Sequence, residues 1–294
     1  MSSISSTTSS IRASASRKRR GQALRGIAVR NPLLVIGVVI VIAWVLLAIF
    51  ASMLSPYAAL AQNVSVRLTA PNGTYLFGTD ELGRDIFTRV LYGARITIPA
   101  GIIVILLGSV IGSAIGAVAG FVGGIADEII MRVTELFMAF PTIILAMAVS
   151  AALGPDIRNA IIALTVVWWP SYARLMRGLV MKAKTNEYVE AATCLGASRS
   201  YLLWRTILPN CLSPMVVMTT LDIGSAILTF AGLSFLGLGP EPASPEWGRM
   251  VAVGIDYFDQ WWMWLFPGAA IATLVVAFNF IGDGLRDMFD PRLR

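Results

Sequence analysis

Apolar residues run along this chain in six long blocks separated by polar stretches. The first covers residues 33–54, and five more follow at about 98–122, 131–153, 157–178, 212–238 and 264–285. Each approaches or exceeds the roughly 20 residues that a helix needs to cross a bilayer core. The first is too long for the h-region of a secretory signal, and no small-x-small cleavage site follows it, so it predicts an uncleaved span. The pattern predicts an all-α, polytopic membrane protein with about six transmembrane helices. No convincing internal repeat is visible.

Three features stand out within the blocks. Gly108, Gly112, Gly116 and Gly120 recur every fourth residue in the second, with Gly124 just beyond. That spacing puts them on one helical face, where missing side chains let another helix approach closely. Static packing explains such a face, and so does a moving seam. Pro141 and Pro170 fall inside the third and fourth blocks and can kink them. Asp222 lies well inside the fifth, where a charge costs roughly 2.5–3.5 kcal/mol on insertion scales. It should therefore face a pathway, a partner or a wet bundle interior.

Composition agrees with the pattern. The chain has 294 residues, 56% hydrophobic and 14% charged, against about 25% charged in a soluble domain. Its mean hydropathy is +0.74. There is no histidine, which excludes His-ligated metal sites, His general bases and His proton relays. Cys194 and Cys211 lack metal-site spacing and read as helix-packing residues near the cytoplasmic face. The net charge of +6 reflects basic residues at membrane boundaries, which fit lipid headgroups and topology better than nucleic acid. Residues 1–30 read as a disordered, basic cytoplasmic tail. A transit peptide has a similar composition, but a juxtamembrane basic cluster has the simpler use of fixing orientation. With that tail inside, only Arg67, Arg84, Arg89, Arg95, Arg158 and Arg249 of the 23 basic residues fall outside. The positive-inside rule then places both termini, and the loop 182–210, in the cytoplasm.

That loop is unusually long and patterned. Asn186 can cap a helix in which Glu187 and Glu190 occupy the first turn, favoured by the dipole. Tyr188, Ala191, Ala192 and Leu195 make a mainly apolar stripe. Gly196 suits a left-handed terminus, and Ser198 can cap a second short helix over 199–208 that Pro209 helps to end. An amphipathic helix lying on the inner leaflet is the plainer reading. A second polar block, 77–97, lies outside on this topology. Thr79 or Asp80 can cap it, Asp80/Arg84 and Asp85/Arg89 are i,i+4 pairs, and Leu82, Ile86 and Val90 share a face. It predicts an amphipathic helix on the outer membrane surface.

The run Glu190-Ala191-Ala192, then Gly196, then Leu208-Pro209 resembles the cytoplasmic coupling loop of permease subunits in ATP-binding-cassette (ABC) importers. Thr206 departs from the isoleucine often found two residues before Leu-Pro. The block Gly78-Thr79-Asp80, Gly83-Arg84-Asp85 is similar to one in the dipeptide, oligopeptide and nickel branch of that family. So are 233–239, Pro245-Glu246-Trp247-Gly248, and 282–287 followed by Asp290-Pro291. The resemblance runs from about residue 31 to the end and points to the second, C-type permease of a pair.

The resemblance implies a permease domain over 31–294 in a bacterial inner membrane. It implies a second permease, two ATP-binding subunits and an extracytoplasmic solute-binding protein as partners, with membrane lipid around them and no nucleic acid. ATP and magnesium would sit in the partner subunits, and this chain would hold no cofactor. Glu190, Ala191, Ala192, Gly196, Leu208 and Pro209 would form the ATPase-coupling site. Asp222 could then receive the amine of a peptide, and Trp168 and Trp169 could line the pathway, although packing explains the tryptophans as well. The aromatic outer loop 239–263 suits a headgroup belt or contact with the binding protein. The chain has no phosphate-binding Gly-x-x-x-x-Gly-Lys-Ser/Thr loop. Its three lysines, Lys18, Lys182 and Lys184, are all cytoplasmic on this topology, so no nucleophile–base pair is placed in the membrane. It is not expected to be an enzyme. An ATP-independent channel or secondary transporter, and a membrane scaffold, are the competing classes.

Overall fold

Glycine, proline and side-chain caps set the boundaries of the helices in a computed structural model that describes residues 31–289. The basic tail 1–30 and Asp290-Pro291 lie outside the described residues. Among those described, all regular structure is helical. Helix α1 is Pro32–Ile49, with proline in its first turn where the missing N–H costs nothing. It bends at Phe50 into the short α2, Ala51–Leu54. Only Leu34 and Gly37 of α1 are buried. The terminal carbonyl of Ile49 is capped from another helix by Arg95 Nη2 at 2.8 Å.

Helix α3, Ile86–Val122, has 37 residues and is about 55 Å long. Asp85 starts it by accepting from Thr88 N at 2.8 Å. This corrects the expected surface helix over 77–97. Residues 77–85 form an irregular loop with Gly78 and Gly83 at φ +74 and +70. Asp80–Arg84 pairs at 2.6 Å within that loop, but Arg89 turns to Asp80 at 3.6 Å instead of Asp85. Ile86, Val90, Ala94 and Ile98 pack in a protein core with Trp247, Trp262 and Ile271. An amphipathic pattern requires an apolar partner but does not say whether that partner is lipid or protein.

The expected third span is broken. Helices α4, Gly124–Met138, and α5, Thr142–Leu153, meet at 89°. Pro141 lacks an N–H and disfavours helical backbone at Phe140 before it, which ends α4. Helix α6, Ile157–Lys184, starts at a cap from Asp156 to Arg158 N (2.7 Å) and carries Pro170 without interruption. Among the described residues four helices are long and apolar enough to cross a membrane, or five if the bent pair counts as one span. Helix α6, the expected fourth span, is not among them. Trp168-Trp169-Pro170-Ser171-Tyr172, Arg174 and Arg177 make it more polar. Ala160, Leu164, Tyr172, Met176 and Val180 put it at the centre of a core instead.

Helix α7 is Glu187–Cys194, and α8 is Arg199–Phe235. Here too the structure corrects an expectation. The second short helix does not stop at Pro209 but runs on into the membrane. A π-helical stretch, Leu202–Ile207, precedes Leu208–Phe235, and Pro209 lies in the first turn after it. The wider winding changes the hydrogen-bond pattern where proline has none to offer. Helix α9, Trp247–Asp256, lies in the outer loop, capped by Glu246, and α10 is Trp262–Phe289. One core joins α3, α5, α6, α7 and α8. A second joins the outer half of α3 to α8, α9 and α10.

Candidate functional site

The glycine face of α3 lies against α6. A Cβ on Gly108 would meet Trp168 Cβ at 3.1 Å, and one on Gly112 would meet Tyr172 Cβ at 2.7 Å and run into the Trp169 carbonyl. At Gly116 it would run into the Ala173 carbonyl, and at Gly120 it would meet the Arg177 carbonyl at 2.8 Å. Lys184 Nζ donates to the Phe121 carbonyl at 2.9 Å, a cation on the C-terminus of α3.

From Lys184 only Thr185 and Asn186 separate α6 from α7. Asn186 has extended N-cap backbone but makes no side-chain cap bond. Val189 is buried in the core that includes Ala183, Leu202 and Ile207. That one side chain, with half-buried Ala192, seats the helix. Tyr188, Glu190, Ala191 and Leu195 face outward, and Leu195 is 89% exposed. Gly196 sits at φ +82 with open space around its Cβ position. Gly196 N donates to Thr193 O at 2.9 Å and Ala197 N to Ala192 O at 3.1 Å. Those two bonds make a complete Schellman ending. Ser198 then accepts from Tyr201 N at 3.3 Å. The result is a short helix, closed at its C-terminal end, on which small Ala191 and apolar Leu195 are exposed. Half-buried Leu208 and exposed Pro209 lie on α8, in the wall of an apolar cleft of about 740 Å³ between α3 and α8.

Asp222 is not free. Tyr172 OH donates to its Oδ2 at 2.8 Å, joining α6 to α8. Tyr172 is fully buried, and nothing in the spacing of two residues so far apart in the chain links them. Trp168 and Trp169 stand beside the glycine face, and Trp169 meets the Phe137 ring at 5.4 Å. The structure thus brings Trp168, Trp169, Gly108 and Gly112 together and leaves the 190–196 segment apart from Asp222.

The outer end is knotted by charge and indole. Arg84 joins Asp80 and Glu81 at 2.6 and 2.7 Å. Glu246 accepts from Thr97 Oγ1 at 3.0 Å and from Gly248 and Arg249 N–H groups at 3.0 and 2.8 Å. Trp247 Nε1 donates to Val90 O at 2.9 Å. Trp247 is therefore a core residue and not part of an aromatic belt, whereas Phe258 and Trp261 are exposed. Burial pushes the Glu81, Asp85 and Glu246 carboxyls up from their ordinary values, opposed at Glu246 by its hydrogen bonds. Among the described residues no group of three or more His, Cys, Asp or Glu could hold a metal ion.

Comparison with known proteins gives consistent matches. Residues 112–294 match the family described as binding-protein-dependent transport system inner membrane component. Residues 28–71 match the N-terminal transmembrane domain of oligopeptide transport permease C. The probable D,D-dipeptide transport system permease protein DdpC of Escherichia coli (strain K12) is 43% identical over 290 residues, 98% of this chain and 97% of that one. The dipeptide transport system permease protein DppC of the same strain is 42% identical over 272 residues, 90% and 91% of the two chains. Among solved structures, the inward-facing methionine ABC transporter MetNI matches with a TM-score of 0.58 at 20% identity, over 70% of this chain and 98% of that one. At that identity the likeness concerns the fold.

Proposed function

Because this chain belongs to the family of binding-protein-dependent transport system inner membrane components, a permease subunit of an ATP-driven importer in a bacterial inner membrane, we propose that it carries peptides and is driven through residues 190–196. The exposed apolar face of α7 supports this reading. Val189 fixes the helix to the core while Leu195 projects into solvent with 89% of its surface exposed. In this reading a separate ATPase subunit receives Leu195 and the small Ala191–Ala192 surface, with Glu190 holding the contact by polar bonds. Closure of the ATPases on ATP and magnesium moves α7. Two linker residues pass the motion to α6, and the glycine face passes it to α3, which opens the pathway outward. Hydrolysis in the partners resets it. A second permease completes the pathway, and a solute-binding protein delivers cargo from outside. The cytoplasmic termini and six spans of this scheme count α6 and the bent α4–α5 pair as crossings.

Purification of the transporter with its partners tests the scheme. Burying a leucine is worth about 1.5–3 kcal/mol, and a charge in its place is worse. Leu195→Asp should therefore cut co-purification of the ATPase subunits by about tenfold or more (~1.4 kcal/mol per decade). Gly196→Trp should leave ATPase activity running but uncoupled from uptake. Normal transport by both variants, or solute flux through the purified chain without ATP, would overturn the proposal.

A further inference from the structure

Helix α4 is poorly held. Thr134 is its one buried residue, while Ile125, Ile129, Val133 and Leu136 are 77%, 59%, 42% and 64% exposed. It joins α3 through Gly123 and Gly124, at φ +72 and +60, and a Cβ on either glycine would meet nothing within 4 Å. Two consecutive positive-φ glycines make a joint that no side-chain packing locks; Gly123 N–H donates to Ala119 O at 3.0 Å, and Asp127 N–H reaches Gly123 O at 3.4 Å. At its far end α4 turns by 89° into α5.

Two specific side-chain contacts orient α4, and both come from α6. Arg177 forks onto Asp127 in the first turn of α4, Nε to Oδ1 at 2.5 Å and Nη2 to Oδ2 at 2.7 Å. Among the described residues this is the one ion pair that joins two helices. The bidentate geometry fixes orientation as well as distance. The second contact is Phe137 against Trp169. Both α6 residues have their own backbone carbonyls against the glycine face of α3, Arg177 at Gly120 and Trp169 at Gly112. The holding points are therefore rigid where the arm that they hold is not. Seven residues beyond Arg177, α6 ends, and the linker to α7 begins.

We infer that Arg177 and Asp127 are positioning residues that hang α4 on the coupling element, so that motion of α7 swings α4 about the Gly123–Gly124 joint and moves the bend into α5. The inference rests on the coupling role proposed for α7. A purely structural role predicts little effect from losing the pair, because a partly exposed ion pair adds little to stability.

Spin labels on the assembled transporter separate these cases without knowledge of the cargo. One pair joins Ile129→Cys on α4 to Val276→Cys on α10, with both native cysteines replaced by serine. A second pair, the α7 pair, joins Thr185→Cys in the exposed linker just before α7 to Val276→Cys, again with both native cysteines replaced by serine. Distances are measured without nucleotide and with ATP plus vanadate. In the parent background both pairs should shift on nucleotide. In Asp127→Asn and Arg177→Gln the α7 pair should still shift, while the α4 pair should broaden and lose its nucleotide response. The charge swap Asp127→Arg with Arg177→Asp should restore at least half of that response. An α4 response that survives the single substitutions, or is not restored by the swap, would overturn the inference alone. A silent α7 pair in the parent background would overturn the coupling scheme, and this inference with it.

Discussion

Asp85 holds the outer end of α3 with Oδ2, while its Oδ1 is buried without a partner. Burial raises the folded pKa of this carboxyl above its ordinary value, and it does the same for Glu81. The folded state therefore binds more protons than the unfolded chain in the window above the ordinary carboxyl pKa. Stability from these groups is full below that pKa and is lost as pH rises through the raised values. The detergent-solubilised protein should accordingly lose stability relative to its Asp85→Asn variant as pH rises above the ordinary carboxyl range. The slope should be no steeper than about 1.4 kcal/mol per pH unit per group. Asp85→Asn keeps a good cap and removes one buried charge, so it should flatten that slope without loss at pH 7. A steeper slope in the variant would contradict this account. At this scale much of the segment 187–201 was legible in the sequence, because glycine and serine act locally: Gly196 takes the positive φ and Ser198 the cap. The Tyr172–Asp222 bond and the Arg177–Asp127 fork were not legible. Each spans 50 positions in the chain, and no local rule ties them.

Among the elements, the α3–α6 seam is the tightest test of packing. Alanine at Gly116 would push its Cβ into the Ala173 carbonyl, whereas alanine at Gly178, also helical, meets nothing within 4 Å. Gly116→Ala should cost about 1–3 kcal/mol through overpacking. Gly178→Ala should be neutral or gain roughly 0.5–1 kcal/mol from helix propensity. Thermal unfolding of the two variants side by side reads the difference, and equal stabilities would contradict the seam. Its glycines were visible in the sequence because a four-residue period is a property of one helix. The identity of the facing helix was not, since that depends on how the chain returns. The same limit explains the outer block. Ile86 and Val90 announced an apolar face, but Trp247 and Trp262, which cover it, come from distant elements. Pro141 was visible inside the third block, yet an 89° break depends on the flanking helices finding separate supports.

For the molecule as a whole, the two native cysteines report orientation. Cys194 is exposed on α7 and Cys211 is buried on α8. A membrane-impermeant maleimide should label inside-out vesicles but not intact cells, and Cys194→Ser should abolish the signal. Labelling should fall when the ATPase subunits are bound. Strong labelling of intact cells would reverse the topology. Helix α7 has two routes into the membrane, through Thr185–Asn186 to α6 and through 195–198 to α8. The second route passes the wide turns of Leu202–Ile207. Such a bulge holds one residue more than regular α winding requires, and giving up that residue turns everything before it by about 100° around the axis of the span. A single surplus residue thus sets the phase between the loop 195–198 and the span that follows it.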